Sequence, residues 1–159
     1  MQESRTYMHL ALSLTMLLFL SACGGNQTDS SSATSSSESG LTDFQLEHGI
    51  GPVTEVLTLA TIDETLADSG EASFTMKCAA CHKPDERYVG PALRGITARR
   101  SPAYIMNMIL NPDQMIKEDP QAKALFTEYL TPMAYQNVSE EDAAALLDYF
   151  RAHDAGASQ

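Results

Sequence analysis

The chain has 159 residues, 10 Lys and Arg against 21 Asp and Glu, a net charge of -11 and a pI near 4.6. That balance excludes a general nucleic-acid binder, because a phosphate backbone is held by basic side chains. With 43% hydrophobic and 19% charged residues, a mean hydropathy of -0.19 and three cysteines, the composition suits one soluble domain and excludes a scaffold of paired disulfides.

In chain order, the first feature is the apolar run LALSLTMLLFL from Leu10 to Leu20. It is far shorter than the roughly 20 residues of a membrane-spanning helix. It follows Arg5 and the free amino terminus, which is the layout of a secretory signal peptide over residues 1–22. Leu20-Ser21-Ala22-Cys23 resembles the lipobox of bacterial lipoproteins. That resemblance implies an exported protein with acylated Cys23 as its new N-terminus, anchored by lipid to a membrane of the bacterial envelope and facing the periplasm. Residues 23–40 are Ser/Gly-rich and too poor in apolar side chains to fold, so they are expected to be a flexible tether. Residues 41–62 are expected to form an extended lead-in, since Gly49, Gly51 and Pro52 interrupt any helix while Val53, Val56, Leu57, Leu59 and Ile62 have something to cover.

Helix signals dominate residues 63–155, with 156–159 left as a tail. Thr61 and Glu64 have the spacing of a capping box, and Leu66, Gly70, Phe74 and Cys78 form a narrow stripe on the first helix. Ser101-Pro102 starts a second helix over 103–110, which Asn111-Pro112 ends. Asp119-Pro120 starts a third, with Ala122, Leu125, Phe126 and Tyr129 on one face. Ser139 followed by three acids caps a last helix through His153, burying Leu146, Tyr149 and Phe150. No convincing alternating strand interrupts them, so the domain is expected to be all-α, with about four helices.

The chemistry is concentrated in Cys78-Ala79-Ala80-Cys81-His82. In a C-x-x-C-H string both thiols add across the vinyl groups of one haem, and the adjacent histidine reaches its iron from the same turn. Zinc is the first alternative, but a closed zinc site needs four ligands and there is no second cysteine pair. A redox disulfide is the second, but such motifs open a helix after a strand, whereas this pair closes a helix. The expected cofactor is therefore one covalently attached haem c.

With these residues in view, the stretch from about residue 66 to 153 resembles a class I cytochrome c. Gly70 and Phe74 match the family's first helix, Leu146 and Tyr149 match its last, and in the family those two helices cross at the glycine. Gly90, Pro91 and Leu93 match its Gly-Pro-x-Leu element, which implies that the Pro91 carbonyl accepts a hydrogen bond from His82. Pro132-Met133 shortly before the last helix matches the family's distal ligand, so the resemblance implies His82 and Met133 as the axial pair. Met106 and Met108 are expected to be core fillers, and His48 and His153 to lie outside the haem crevice. The family also implies an arginine beside a haem propionate, for which Arg99 and Arg100 are the candidates, with Tyr104 as a further contact.

A closed His/Met iron implies a one-electron carrier rather than an enzyme, and a thioether ligand implies a raised potential. The alternative class is a haem enzyme or gas sensor with an open distal site. The acidic charge either steers the chain, expected to be a monomer on its lipid anchor, to redox partner proteins with a basic docking patch or serves solubility alone. The strings HGIGPV, CHKPDERYVGPALRGITARRSPAYIMNMILNP and EYLTPMAYQNVSEEDA resemble monohaem lipoprotein cytochromes found with nitrous oxide reductases. That implies electrons passing from a quinol-oxidising membrane complex to such a reductase, or to a terminal oxidase.

Overall fold

The computed structural model describes residues 40–156. The signal segment, the lipobox with Cys23, nearly all of the tether and the last three residues lie outside the described residues. Within them the chain forms seven helices: α1 (Asp43–His48), α2 (Glu64–Lys77), α3 (Ile96–Arg99), α4 (Pro102–Leu110), α5 (Pro112–Glu118), α6 (Pro120–Tyr129) and α7 (Glu140–Asp154). No strand occurs among the described residues, and α2, α4, α6 and α7 are the four long helices the sequence announces. None of the described helices is long and apolar enough to cross a membrane.

Most caps sit where the sequence places them, because the Ser/Asp side chain and the following proline act locally. Ser101 accepts from the Tyr104 amide, Asp119 from Ala122 and Ser139 from Asp142. The first long helix departs from expectation. Asp63 caps α2, accepting from the Thr65 and Leu66 amides, so the Thr61–Glu64 box does not form. An aspartate one residue before the helix competes better than a threonine two residues further back. The buried stripe of α2 accordingly runs through Ala67, Gly70, Ser73 and Phe74 rather than Leu66 and Cys78.

The lead-in is also different from its expected form. Its start is helical, because Thr42 and Gln45 make a reciprocal capping box; Gly49, at φ 76°, ends that helix. Asn111 closes α4 and opens α5, where Pro112 occupies the first turn, so the Asn-Pro step that reads as a stop is also a start.

The core has two parts. In the first, α2 packs on α7: Phe74 lies 5.4 Å from the Tyr149 ring and 6.0 Å from Phe150, with Leu146 fully buried beside them. Gly70 makes this possible. A Cβ there would run into the carbonyl oxygen of Ala145, a backbone atom that cannot yield, and would come 2.9 Å from Tyr149 Cβ. The second part is built on the lead-in, where Leu41 and Ile50 pack with Tyr104, Met115 and Ala122. Fully buried Asn107 clamps this segment, accepting from the Val53 amide at 3.0 Å and donating to the carbonyls of His48 at 3.1 Å and Val53 at 2.9 Å. Further along, Arg151 donates to the Ala60 carbonyl at 2.6 Å and Asp148 accepts from the Asp63 amide at 3.3 Å. Residues 41–62 are thus fastened to α4, α5 and α7.

The single turn α3 is pinned by Asp154 at the end of α7. Its carboxylate accepts from the Gly95 amide at 2.5 Å, the Thr97 amide at 3.1 Å and the Thr97 hydroxyl at 2.6 Å. Burial alone would raise this carboxyl, but the hydrogen bonds from Thr97 and Gly95, with His153 nearby, more than offset it and hold the group below its ordinary value.

Two outcomes are expected. Gly70→Ala should cost about 3 kcal/mol or more, read as a lowered denaturant midpoint of the holoprotein, because two helices must separate to admit one methyl group. Asp154→Asn should cost about 1 kcal/mol at neutral pH, a partly exposed charged acceptor being worth less than a buried one. A depressed carboxyl adds stability above its unfolded value and loses it as pH falls through the folded one. The gap between wild type and Asp154→Asn should therefore close below about pH 4 in denaturant titrations.

Candidate functional site

α2 ends at Lys77, and Cys78 is its C-cap, with the Cys78 amide donating to Phe74 O. The amides of Cys81 and His82 then both bond to the Cys78 carbonyl, at 3.0 and 2.9 Å, so the motif folds as one compact turn on the end of a buried helix. The next loop closes on that turn through Gly90 N to Cys81 O at 2.8 Å and Leu93 N to Pro84 O at 3.0 Å.

This loop orients the histidine. His82 Nδ1 lies 3.1 Å from the Pro91 carbonyl. A carbonyl only accepts, so Nδ1 carries the hydrogen and Nε2 keeps its lone pair. Gly90 provides the room, since a Cβ there would stand 2.5 Å from His82 Cε1. Burial lowers the basicity of His82, partly opposed by the Pro91 bond, and so favours the neutral imidazole that binds metals.

Burial raises the Cys78 thiol, with Lys77 opposing and Cys81 adding to the shift. A dithiol redox centre needs the reverse, a stabilised thiolate. The zinc alternative fares no better: among the described residues no group of three or more His, Cys, Asp or Glu is placed to hold a metal ion.

Cys78, Cys81 and His82 open onto a cleft of about 1300 Å³, counting the space at its mouth. Its walls are mostly apolar side chains, which suits a large flat apolar group. The predicted face of α6, Ala122, Leu125, Phe126 and Tyr129, forms one wall, and Leu146 and Phe150 of α7 close the inner end. Half-buried Met133 lines the same cleft and packs on the core around Phe74. The structure therefore brings an imidazole, two thiols and the thioethers of Met133 and Met108 to a single apolar cavity.

The other candidates separate. Met106 is core; Met108 lines the cleft, and Met115 is fully buried with its sulfur accepting the Ile50 amide at 3.0 Å. His48 is buried against Ser101, 2.8 Å from its hydroxyl, and His153 lies 3.8 Å from Asp85; neither lines the cleft. Of the two arginines, Arg100 lines the cleft, with its guanidinium 5.2 Å from the Tyr104 ring centroid. Arg99 does not, because it turns back to the carbonyls of Arg94 at 2.6 Å and Ala92 at 3.4 Å. Tyr104 lines the cleft by its ring, while its hydroxyl donates to buried Asp119 at 2.8 Å. Burial first, and the Asp119 carboxylate second, push that hydroxyl well above its ordinary range, so it stays a donor already engaged.

Residues 67–154 match the family model for cytochrome c. The chain belongs to the cytochrome c family. A cytochrome c from Rhodothermus marinus is 47% identical, with a TM-score of 0.67 over 70% of this chain and 97% of that one. An engineered form of it, described as bound to a carbene intermediate, matches at 47% identity with a TM-score of 0.63, over 70% of this chain and 96% of that one. Among curated relatives, a cytochrome c-553-like protein of Synechocystis is 35% identical over 69 residues, 40% of this chain and 66% of that protein. A cytochrome c-551 of Stutzerimonas stutzeri is 51% identical over 37 residues, 23% of this chain and 36% of that protein. The matched stretches thus span two thirds or less of these curated relatives.

Members of the family carry covalently attached haem c. The cleft fits that group on its own evidence: its apolar walls, two thiols beside a histidine fixed through Nδ1, and methionine thioethers in the same cavity. Sequence reasoning missed the clamp at Asn107 and the contacts of Lys77 and Arg87 described below, none of which has a local signature.

Proposed function

We propose that this protein is a lipid-anchored, monohaem electron carrier of the bacterial envelope. It passes single electrons from a quinol-oxidising membrane complex to a terminal reductase or oxidase, with nitrous oxide reductase as the specific acceptor. The observation that carries the reading is the convergence of His82 and Met133 on one cleft. Nitrogen and sulfur donors for both axial positions leave no coordination site for a substrate, which favours a carrier over a haem enzyme or gas sensor.

Haem, when bound, supplies the one-electron ferric/ferrous couple. Cys78 and Cys81 would hold it by thioethers, and His82 Nε2 and Met133 would ligate its iron. The Pro91 carbonyl keeps the imidazole in one tautomer and raises its basicity toward the metal. The Met133 sulfur would favour the reduced state and raise the potential above that of a bis-histidine site. Apolar walls exclude water, so little polar rearrangement accompanies the change of charge. Arg100, which lines the cleft as Arg99 does not, would be the cation for a haem propionate.

The lipobox-like Leu20-Ser21-Ala22-Cys23 supports anchoring through Cys23, and residues 23–40 give the domain its reach. The net charge of -11 supports steering toward partners with a basic docking patch, at rates that fall with salt. Such encounters suit a monomer with a small contact face.

The test is spectroscopic. Full-chain holoprotein from an export host should give a low-spin spectrum with the red charge-transfer band of methionine sulfur on ferric iron. Met133→His should keep covalent haem, lose that band and lower the potential; an unchanged band and potential would remove Met133 from the ligand set. Cys78→Ala and Cys81→Ala should each impair haem attachment on denaturing gels. Labelled fatty acid should enter the wild type and not Cys23→Ser.

A further inference from the structure

Residues 131–138 join α6 to α7 and carry Met133. Among the described residues, not one of their backbone amides or carbonyls pairs with another backbone group. One hydrogen bond is internal, Gln136 Nε2 to Ala134 O at 3.3 Å, and most of the segment is exposed. A stretch with so few internal bonds opens at low free energy unless its ends are held.

Both ends are tied by cations to the neighbourhood of the haem motif. At the N-terminal end, Arg87 Nη1 lies 2.9 Å from Glu128 Oε1, and its guanidinium sits 4.0 Å from the Tyr129 ring centroid. At the C-terminal end, Lys77 Nζ donates to Asn137 O at 3.3 Å and lies 3.8 Å from Asp142 Oδ2. Lys77 immediately precedes Cys78, and Arg87 lies in the loop between His82 and Gly90. Arg87 therefore connects the attachment side of the cleft to the last turn of α6, and Lys77 connects it to Asn137 and the first turn of α7, the elements that flank Met133. The α6 end is otherwise closed by Leu130 in the left-handed region at φ 52°, and the α7 end by buried Val138.

We propose that Arg87 and Lys77 are a pair of latches that keep the Met133 segment shut and so set how often an external ligand reaches the distal side of the iron. They are positioning residues, acting through Met133, and the proposal rests on the reading of Met133 as the axial ligand. Exposed ion pairs are individually weak and screened by salt, and a guanidinium over a tyrosine ring adds a component that salt reaches less. The latches are therefore adjustable: ionic strength, or a partner that competes for Glu128 or Asp142, loosens the distal side while leaving the attachment of the haem motif alone.

The test follows imidazole binding to the ferric full-chain holoprotein at about pH 8, where imidazole is neutral and long-range steering drops out. Arg87→Ala and Lys77→Ala should each speed binding by about three- to tenfold, and the double variant by about the product. Arg87→Lys, keeping the charge and losing the flat stack, should fall between. The wild-type rate should rise with added NaCl while that of the double variant stays level, an outcome that needs no substitution in the wild-type arm. A merely structural role would lower the thermal midpoint and leave the binding rate where it was, which overturns the proposal. A resting wild type without the sulfur-to-iron band defeats the reading of Met133. The band present, with the double variant binding at the wild-type rate at every salt concentration, defeats the latches and leaves that reading standing.

Discussion

Gly70 lets the backbone of α2 touch the backbone of α7, and the placement of the haem motif follows from that contact. The atom opposite Gly70 is the carbonyl oxygen of Ala145, which cannot move without its helix. One turn later Phe74 enters the aromatic group with Tyr149 and Phe150, and one turn after that the helix stops at Cys78. The cysteines and the histidine are therefore presented from the end of a rod whose position is already decided. The bond from His82 to the Pro91 carbonyl then removes the last rotational freedom of the imidazole. From α7 to the ring nitrogen, every link is a packed side chain or a hydrogen bond.

The part of the cleft that carries Met133 is built differently. Met133 lies in a segment without backbone pairing, held by its buried end residue and by side-chain ties. A carrier gains from this asymmetry. Rigid attachment would preserve the position of a bound cofactor, and with Met133 as the proposed ligand a thioether on a long flexible side chain would adapt to iron of either charge without straining the fold.

What the sequence made legible was local. The C-x-x-C-H string and the Ser-Pro and Asp-Pro helix starts each act over one turn, and the all-α architecture follows from such helix signals. The errors came where two local signals competed or where a contact joined distant residues. Asp63 displaced Thr61 as a cap, and Asn111-Pro112 served two helices at once. The clamp from Asn107 to His48 and Val53 crosses more than 50 residues of chain and leaves no periodic trace. Arg99 and Arg100 are equivalent in the sequence, but the first ends a helix and the second is extended at φ -135°, so consecutive side chains leave in different directions and only Arg100 lines the cleft.

The segment 41–62, which carried no chemistry in the sequence, bears on the cofactor through packing. Leu41 and Ile50 fill a cluster whose other members include Tyr104 and Ala122, and these two also line the cleft. The segment thus backs the wall formed by α4 and α6. Without it, the far side of Tyr104 and the fully buried Asp119 that holds its hydroxyl would meet water. Water behind that wall raises the local dielectric, and a more polar surrounding favours the charged ferric state over the ferrous one. The lead-in that the sequence places against something is then part of the apolar packing behind the cleft wall.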